Sequence, residues 1–269
     1  MRSPTFLLLG LLAALGCATG VQAQALRLSD AQLSQVWGQA LIELLNTSAS
    51  GYDFTRMTFN ADISLSANMK DIRLGEYAAA RNGPANGVGA GADIDIQTLQ
   101  FGRNPLDVPL LGDGNSDRLV RATNPYFEIV YKQAANSAAR EVVGMRIGFE
   151  GMEGYLGTQI RALSGTLRAD LASDTGTIHF DSTNPAFMES ADGRRWNANG
   201  LLSTVGTLKL GDLSGPTRDF FLAVQTEGVS YPAVAGVGAQ QAAAGFWLNL
   251  RDRVSGVVGP MPSNLALPK

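Results

Sequence analysis

Cysteine and histidine are almost missing from this chain: its 269 residues hold one of each, Cys17 and His179. One cysteine rules out an internal disulfide framework. One histidine leaves any Ser-His-Asp triad with His179 alone, and it starves a multi-histidine metal site. Charge is sparse as well. Charged residues make up 17% of the chain, the net charge is −3, and no basic cluster exceeds the pair Arg194-Arg195. Reading phosphate requires clustered lysine and arginine, so nucleic acid is excluded as a partner. Past the first 24 residues no apolar run approaches the length of a spanning helix, so the remaining chain carries no transmembrane helix.

The leader is what is present instead. Arg2 gives a positive start, Phe6 to Gly16 is apolar but too short to span, and Val21-Gln22-Ala23 offers a small-x-small cleavage pattern. Residues 1–23 are therefore expected to be a signal peptide, exporting the protein to the periplasm or the outer membrane and cell surface of a Gram-negative bacterium. Lipidation at Cys17 is the competing reading. Ala14-Leu15-Gly16 precedes that cysteine with alanine where leucine is usual, so cleavage at Ala23 is preferred. The mature chain then has no cysteine, and loses Arg2 from its charge balance.

Ser29-Asp30-Ala31-Gln32 forms a capping box. Leu33, Val36, Trp37, Ala40, Leu41 and Leu44 follow at helical spacing, predicting one short helix that stops at Gly38 or continues to about Leu45. From Met57 the period becomes two: Met57, Phe59, Ala61, Ile63, Leu65 and Ala67 alternate with polar residues, predicting an apolar inner face and a wet outer one. Val143, Met145, Ile147 and Phe149 alternate likewise, as do Phe220, Leu222 and Val224, and Phe246, Leu248 and Leu250. Gly154 to Asp170 keeps strand character, with Gly157 and Gly165 marking bends. The expected fold class is all-β: antiparallel, rolled or stacked sheets, solenoid-like or sandwich, with one N-terminal helix. The expected division is residues 24–50 for helix and linker, 51–253 for the β domain and 254–269 for an irregular tail. Arg81 to Gly91 and Asn104 to Asn124 read as mobile surface loops.

A phrase recurs within this pattern. Met69-Lys-Asp-Ile-Arg-Leu-Gly75, Ile96-Gln-Thr-Leu-Gln-Phe-Gly102 and Val205-Gly-Thr-Leu-Lys-Leu-Gly211 share apolar first, fourth and sixth positions and a final glycine. Ile160-Arg-Ala-Leu163 is a partial fourth copy, and Thr123-Asn-Pro and Thr183-Asn-Pro form another pair. Each phrase describes a strand that slips face once. The spacing of the copies is irregular, so no fixed-period solenoid follows from them.

Chemistry-bearing motifs all fall short. His179 and Asp181 share a strand face but make at most half of a metal site. Asp113-Gly-Asn115-Ser-Asp117 starts like a calcium loop, then places Arg118 at the required glycine and Asn124 at the bidentate glutamate. Gly87-Val-Gly89-Ala-Gly91 lacks the helix that a phosphate loop needs. The carboxylates Asp62, Asp93, Asp95, Glu128 and Glu150 are scattered at strand positions expected to face water. No catalytic residue, metal site or cofactor is assigned, and a ligand site is not placed. A transmembrane barrel is disfavoured by strands of unequal length, few aromatics at strand ends and the ending Leu-Ala-Leu-Pro-Lys.

Leu28-Ser-Asp-Ala-Gln-Leu-Ser-Gln-Val-Trp-Gly-Gln-Ala40 resembles a phrase found after the signal peptide in exported proteobacterial envelope proteins, some carrying a pilus-assembly (Fil-type) label. Trp37 departs from the small residue usual there. The resemblance spans about 13 residues, fades after about Leu171, and transfers no functional residue. It implies a non-catalytic envelope or surface β protein acting by binding or assembly on an envelope protein partner. The alternative is a carrier of lipid or another hydrophobic small molecule, with Phe59, Ile63, Leu65, Ile94, Met145, Ile147 and Phe149 as its apolar lining.

Overall fold

The computed structural model describes residues 41–77, 91–102, 119–133, 139–182, 188–189, 195–196, 202–233 and 237–259. Through them strand follows strand, and the chain is nearly all β. The strands are β1 (Ile42–Ala49), β2 (Tyr52–Phe59), β3 (Asp62–Leu65), β4 (Asn68–Tyr77), β5 (Gly91–Phe101) and β6 (Val120–Gln133). Next come β7 (Arg140–Leu163), β8 (Gly165–Ser173), β9 (Gly176–Asp181), β10 (Met188–Glu189), β11 (Arg195–Trp196) and β12 (Val205–Leu210). The last are β13 (Phe221–Gln225), β14 (Val229–Tyr231), β15 (Gln240–Ala242), β16 (Gly245–Leu250) and β17 (Val254–Val258).

At the first strand the structure departs from the expected helix. Leu44 lies in β1, directly opposite Met57 of β2, so the helix does not run on to Leu45. Ser50 and Gly51, with φ of 53° and 83°, make the primed two-residue turn whose twist suits a hairpin. Pairing with β2 thus overrides the local i, i+3 spacing of Leu41 and Leu44. The rest of the expected helix, the resembling phrase from Leu28, the leader and Cys17 lie outside the described residues.

Two sheets share two strands. The first runs β1-β2-β6-β7-β13-β16-β8, and the second runs β4-β5-β7-β12-β17-β8-β9. β7 pairs with β13 through Gly144–Gly148 and with β12 through Gly154–Gly157, so it passes from one sheet into the other. Gly154 marks the crossing: its φ is 132°, and a Cβ there would lie 2.7 Å from the Leu119 carbonyl oxygen. β8 passes between the sheets in the same way, with β16 beside its start and β17 beside its end. The result is a closed ring of six strands, β7-β13-β16-β8-β17-β12, which removes free edges from the centre of the body.

Both contacts of β8 within that ring are parallel, so the body is not wholly antiparallel. The cause is simple. β16 and β17 are one path bent at Asp252-Arg253, and it lies alongside β8 from end to end.

Two boundaries move as well. Val254–Val258 is a strand of the ring rather than the start of an irregular tail; Gly256 and the prolines beyond it hid its period of two. Val120–Asn124 belongs to β6, with Val120 and Ala122 fully buried, so the expected loop ends before it. The main core joins Ile94, Ile96, Leu156, Leu167, Leu171, Leu208, Leu210 and Leu250. A second core joins Phe54, Tyr126 and Phe221 to Val229, Tyr231 and Ala242 of the β14–β15 hairpin.

Candidate functional site: an apolar cavity and an open sheet face

The recurring phrase builds one wall. Its copies lie on β4, β5, β7 and β12, which are consecutive neighbours in the second sheet. The second and third copies carry a register shift at their first or second residue. In the first, Asp71 drops out of the ladder at φ 52° without a shift, so positions one, four and six come to one side. The closing glycines Gly75, Gly102 and Gly211 have φ of 68°, 79° and 83°, which explains their recurrence. Met69, Ile72, Leu74, Ile96, Leu99, Phe101, Ile160, Leu163 and Leu208 all face a cavity of about 260 Å³. Phe220, Leu222, Leu248 and Leu250 close it from the first sheet.

Nothing polar in that lining is left without a partner. Thr158 is its one polar residue, and its hydroxyl donates to the Val205 carbonyl at 3.1 Å. A space of this kind offers dispersion contacts and no orienting hydrogen bond, so it suits hydrocarbon and rejects charge.

The cavity continues into an open face. Leu44, Met57, Phe127, Ile147, Leu222 and Leu248 are cross-strand partners in turn, across six strands of the first sheet. Directly opposed residues share a face, so this row runs about 24 Å at the usual strand spacing. Leu222 and Leu248 line the cavity, while Ile147, Met57 and Leu44 are 53%, 37% and 61% exposed. Met145 and Phe59 stand exposed on the same side. The expected inner lining is therefore split. Ile63, Leu65 and Phe149 pack against the main core and Ile94 lines the cavity, whereas Phe59, Met145 and Ile147 face outward.

Part of the expected wet face is buried: Asn60, Asp62, Ser64 and Ser66 are exposed as expected, but Thr58 is not. Glu128, Arg146 and Gln225 are also buried, clustered with Tyr126 and Phe221 against Tyr231 of the β14–β15 hairpin. Glu128 accepts from Arg56 Nε at 2.8 Å and from Arg146 Nε at 2.6 Å. The Arg146 guanidinium lies 4.5 Å from the Tyr231 ring centroid and 5.0 Å from that of Phe221. Tyr231 donates to Gln225 Oε1 at 3.2 Å. Burial raises the phenols of Tyr126 and Tyr231 above their ordinary value, most clearly at Tyr231, which stays a neutral donor. This cluster clamps hairpin to sheet.

The remaining sequence candidates do not converge. His179 Nδ1 is 2.6 Å from Asp170 Oδ1 across β8 and β9, both exposed, while Asp181 pairs with Arg168. Among the described residues no three metal-ligating side chains cluster. Asn124 sits in β6 at φ 49° and donates to Glu150 at 2.9 Å; Asp113 to Arg118 lie outside the described residues, as do Gly87 and Gly89. Glu128 and Asp93 are buried rather than facing water: Asp93 Oδ2 accepts the Phe246 N–H at 2.9 Å. Sequence reasoning also missed Asp219, which is buried and accepts from Asn249 and Arg251 at 3.0 and 2.8 Å. No local signal marks it. No protein-family model matches the chain, and comparison with curated proteins and with solved structures finds no match either.

Proposed function

We propose that this protein is a non-catalytic binding protein of the bacterial envelope that takes up a hydrophobic small molecule, such as a lipid acyl chain. One observation carries the reading: the cavity is lined by hydrocarbon and has no polar group to satisfy. The leader and the phrase from Leu28 support export and an envelope setting. Among the described residues no helix is long and apolar enough to cross a membrane. Purified protein should release apolar molecules to organic extraction, read by mass spectrometry, and should bind N-phenylnaphthylamine with enhanced fluorescence. Leu208→Phe, which fills the space, should abolish that fluorescence while circular dichroism stays unchanged. An extract free of lipid together with no dye uptake would refute the reading.

Assembly on an envelope protein partner is the second reading, and β1 favours it. This edge strand is exposed on both faces, with Ile42 and Leu44 on one side and Leu45 on the other.

A further inference from the structure

We propose that the chain self-associates through β1, pairing it antiparallel with β1 of a second copy across a two-fold axis at Leu45. The proposal rests on the assembly reading and supplies its partner and register; it is independent of the cavity.

Hydrogen-bond parity sets the register. The Asn60 N–H donates to the Leu41 carbonyl at 2.9 Å, which makes 41 and 60 a hydrogen-bonded pair. In an antiparallel ladder such pairs alternate, so the odd residues of β1 bond to β2. The even residues Ile42, Leu44, Asn46 and Ser48 then direct N–H and C=O away from it. Among the described residues β1 pairs with β2 alone.

A two-fold axis normal to the sheet matches residues whose numbers add to an even total, and all four outward residues are even. Centring on Leu45 sets Ile42 against Ser48 of the second copy and Leu44 against Asn46, using every outward group in about eight bonds. Leu45, 47% exposed, then meets its own copy as a non-hydrogen-bonded pair, the arrangement with the closest side chains. Glu43, the one charge on β1, lies opposite Thr47 and away from its own copy.

The edge strand β4 shows what a guarded edge looks like. It carries Lys70, Asp71, Arg73 and Glu76, and positive φ at Asp71 (52°) and Gly75 (68°) breaks its line. β1 has the single charge of Glu43 and no positive φ, and each of its faces shows an exposed aliphatic side chain, Ile42 and Leu44 on one and Leu45 on the other. That combination is selected against in a strand meant to stay unpaired.

The test uses the full chain with Cys17→Ala, so that an introduced thiol is alone. Light scattering on size exclusion should give twice the chain mass. Leu44→Pro removes an outward N–H and no bond to β2, so it should give a monomer that remains β-rich by circular dichroism. Under mild oxidation Leu45→Cys should form a disulfide between copies, since opposed non-hydrogen-bonded Cα atoms lie about 4.5 Å apart. Leu44→Cys should not, its own copy lying diagonally at roughly 7–8 Å. A monomeric parent, a dimer that persists in Leu44→Pro, or crosslinking at Leu44→Cys in place of Leu45→Cys would overturn the proposal. Should Leu44→Pro fail to fold, the two cysteine variants decide alone. Dye uptake is read separately, so failure here leaves the cavity reading standing.

Discussion

Arg146 and Glu128 meet at 2.6 Å with both side chains almost wholly buried, at 1% and 2% exposure. Arg56, 2.8 Å from the other carboxylate oxygen, adds a second cation from a less buried site. Removing the shared carboxylate strands two guanidiniums. Glu128→Gln should therefore cost about 3–5 kcal/mol, and more than Arg56→Met, which leaves the inner pair intact. Urea unfolding measures both; equal losses would count against the ranking.

The cavity wall makes a second prediction. Ile160→Ala should lower stability by about 2–5 kcal/mol, because transfer energy is lost and an existing void grows. The same variant should admit a bulkier apolar probe than the parent does, read by fluorescence titration.

Lys132 and Glu227 form an exposed clip at 2.8 Å. The hydrogen bond from Lys132 holds the Glu227 carboxyl below its ordinary value, and the same bond raises the lysine. A lowered carboxylate stabilises above its unfolded pKa and loses that contribution as pH falls through the folded value. A raised lysine contributes below its unfolded pKa and loses its part as pH rises through the folded value. The clip's contribution should therefore be complete between about pH 5 and 10, fading beyond that window and vanishing only once pH falls past the folded Glu227 value or rises past the folded Lys132 value. In an NMR titration, Lys132→Met should move the Glu227 midpoint upward; an unmoved midpoint refutes the coupling.

Gly154→Ala should cost more than about 1 kcal/mol, since φ of 132° and the Leu119 carbonyl both exclude a methyl group. Thermal unfolding reads this directly, and Gly51→Ala, with open space around it, provides the control for positive φ without crowding.

Much of the architecture could be read from residues alone. The phrase beginning at Met69 marked strands that end in a left-handed glycine, and its apolar positions line the cavity except Val205 and Leu210, which join the core beside it. Alternation found most strands but misjudged their faces around Thr58, Arg146 and Gln225. Those positions are buried because Glu128 meets two arginines from neighbouring strands, a pairing that no local spacing reveals. The parallel seating of β8 was hidden for the same reason: its partners begin at Gly245, far along the chain. His179 found a carboxylate, but Asp170 across the ladder rather than Asp181 along its own strand. Asp219, meeting Asn249 and Arg251, depends wholly on a fold-back of the chain.

Synthesis proceeds from the amino end, and β8 then waits for its neighbours. Leu167 and Leu171 are complete long before Leu250 and Gly256 exist to cover them. Until the final strands emerge, a half-made molecule carries two raw seams flanked by oily side chains, ready to stick to anything similar. Losing Val254–Val258 would leave one of these seams permanently open, so a chain clipped at its carboxyl end should collect in insoluble material rather than survive as a shortened binder.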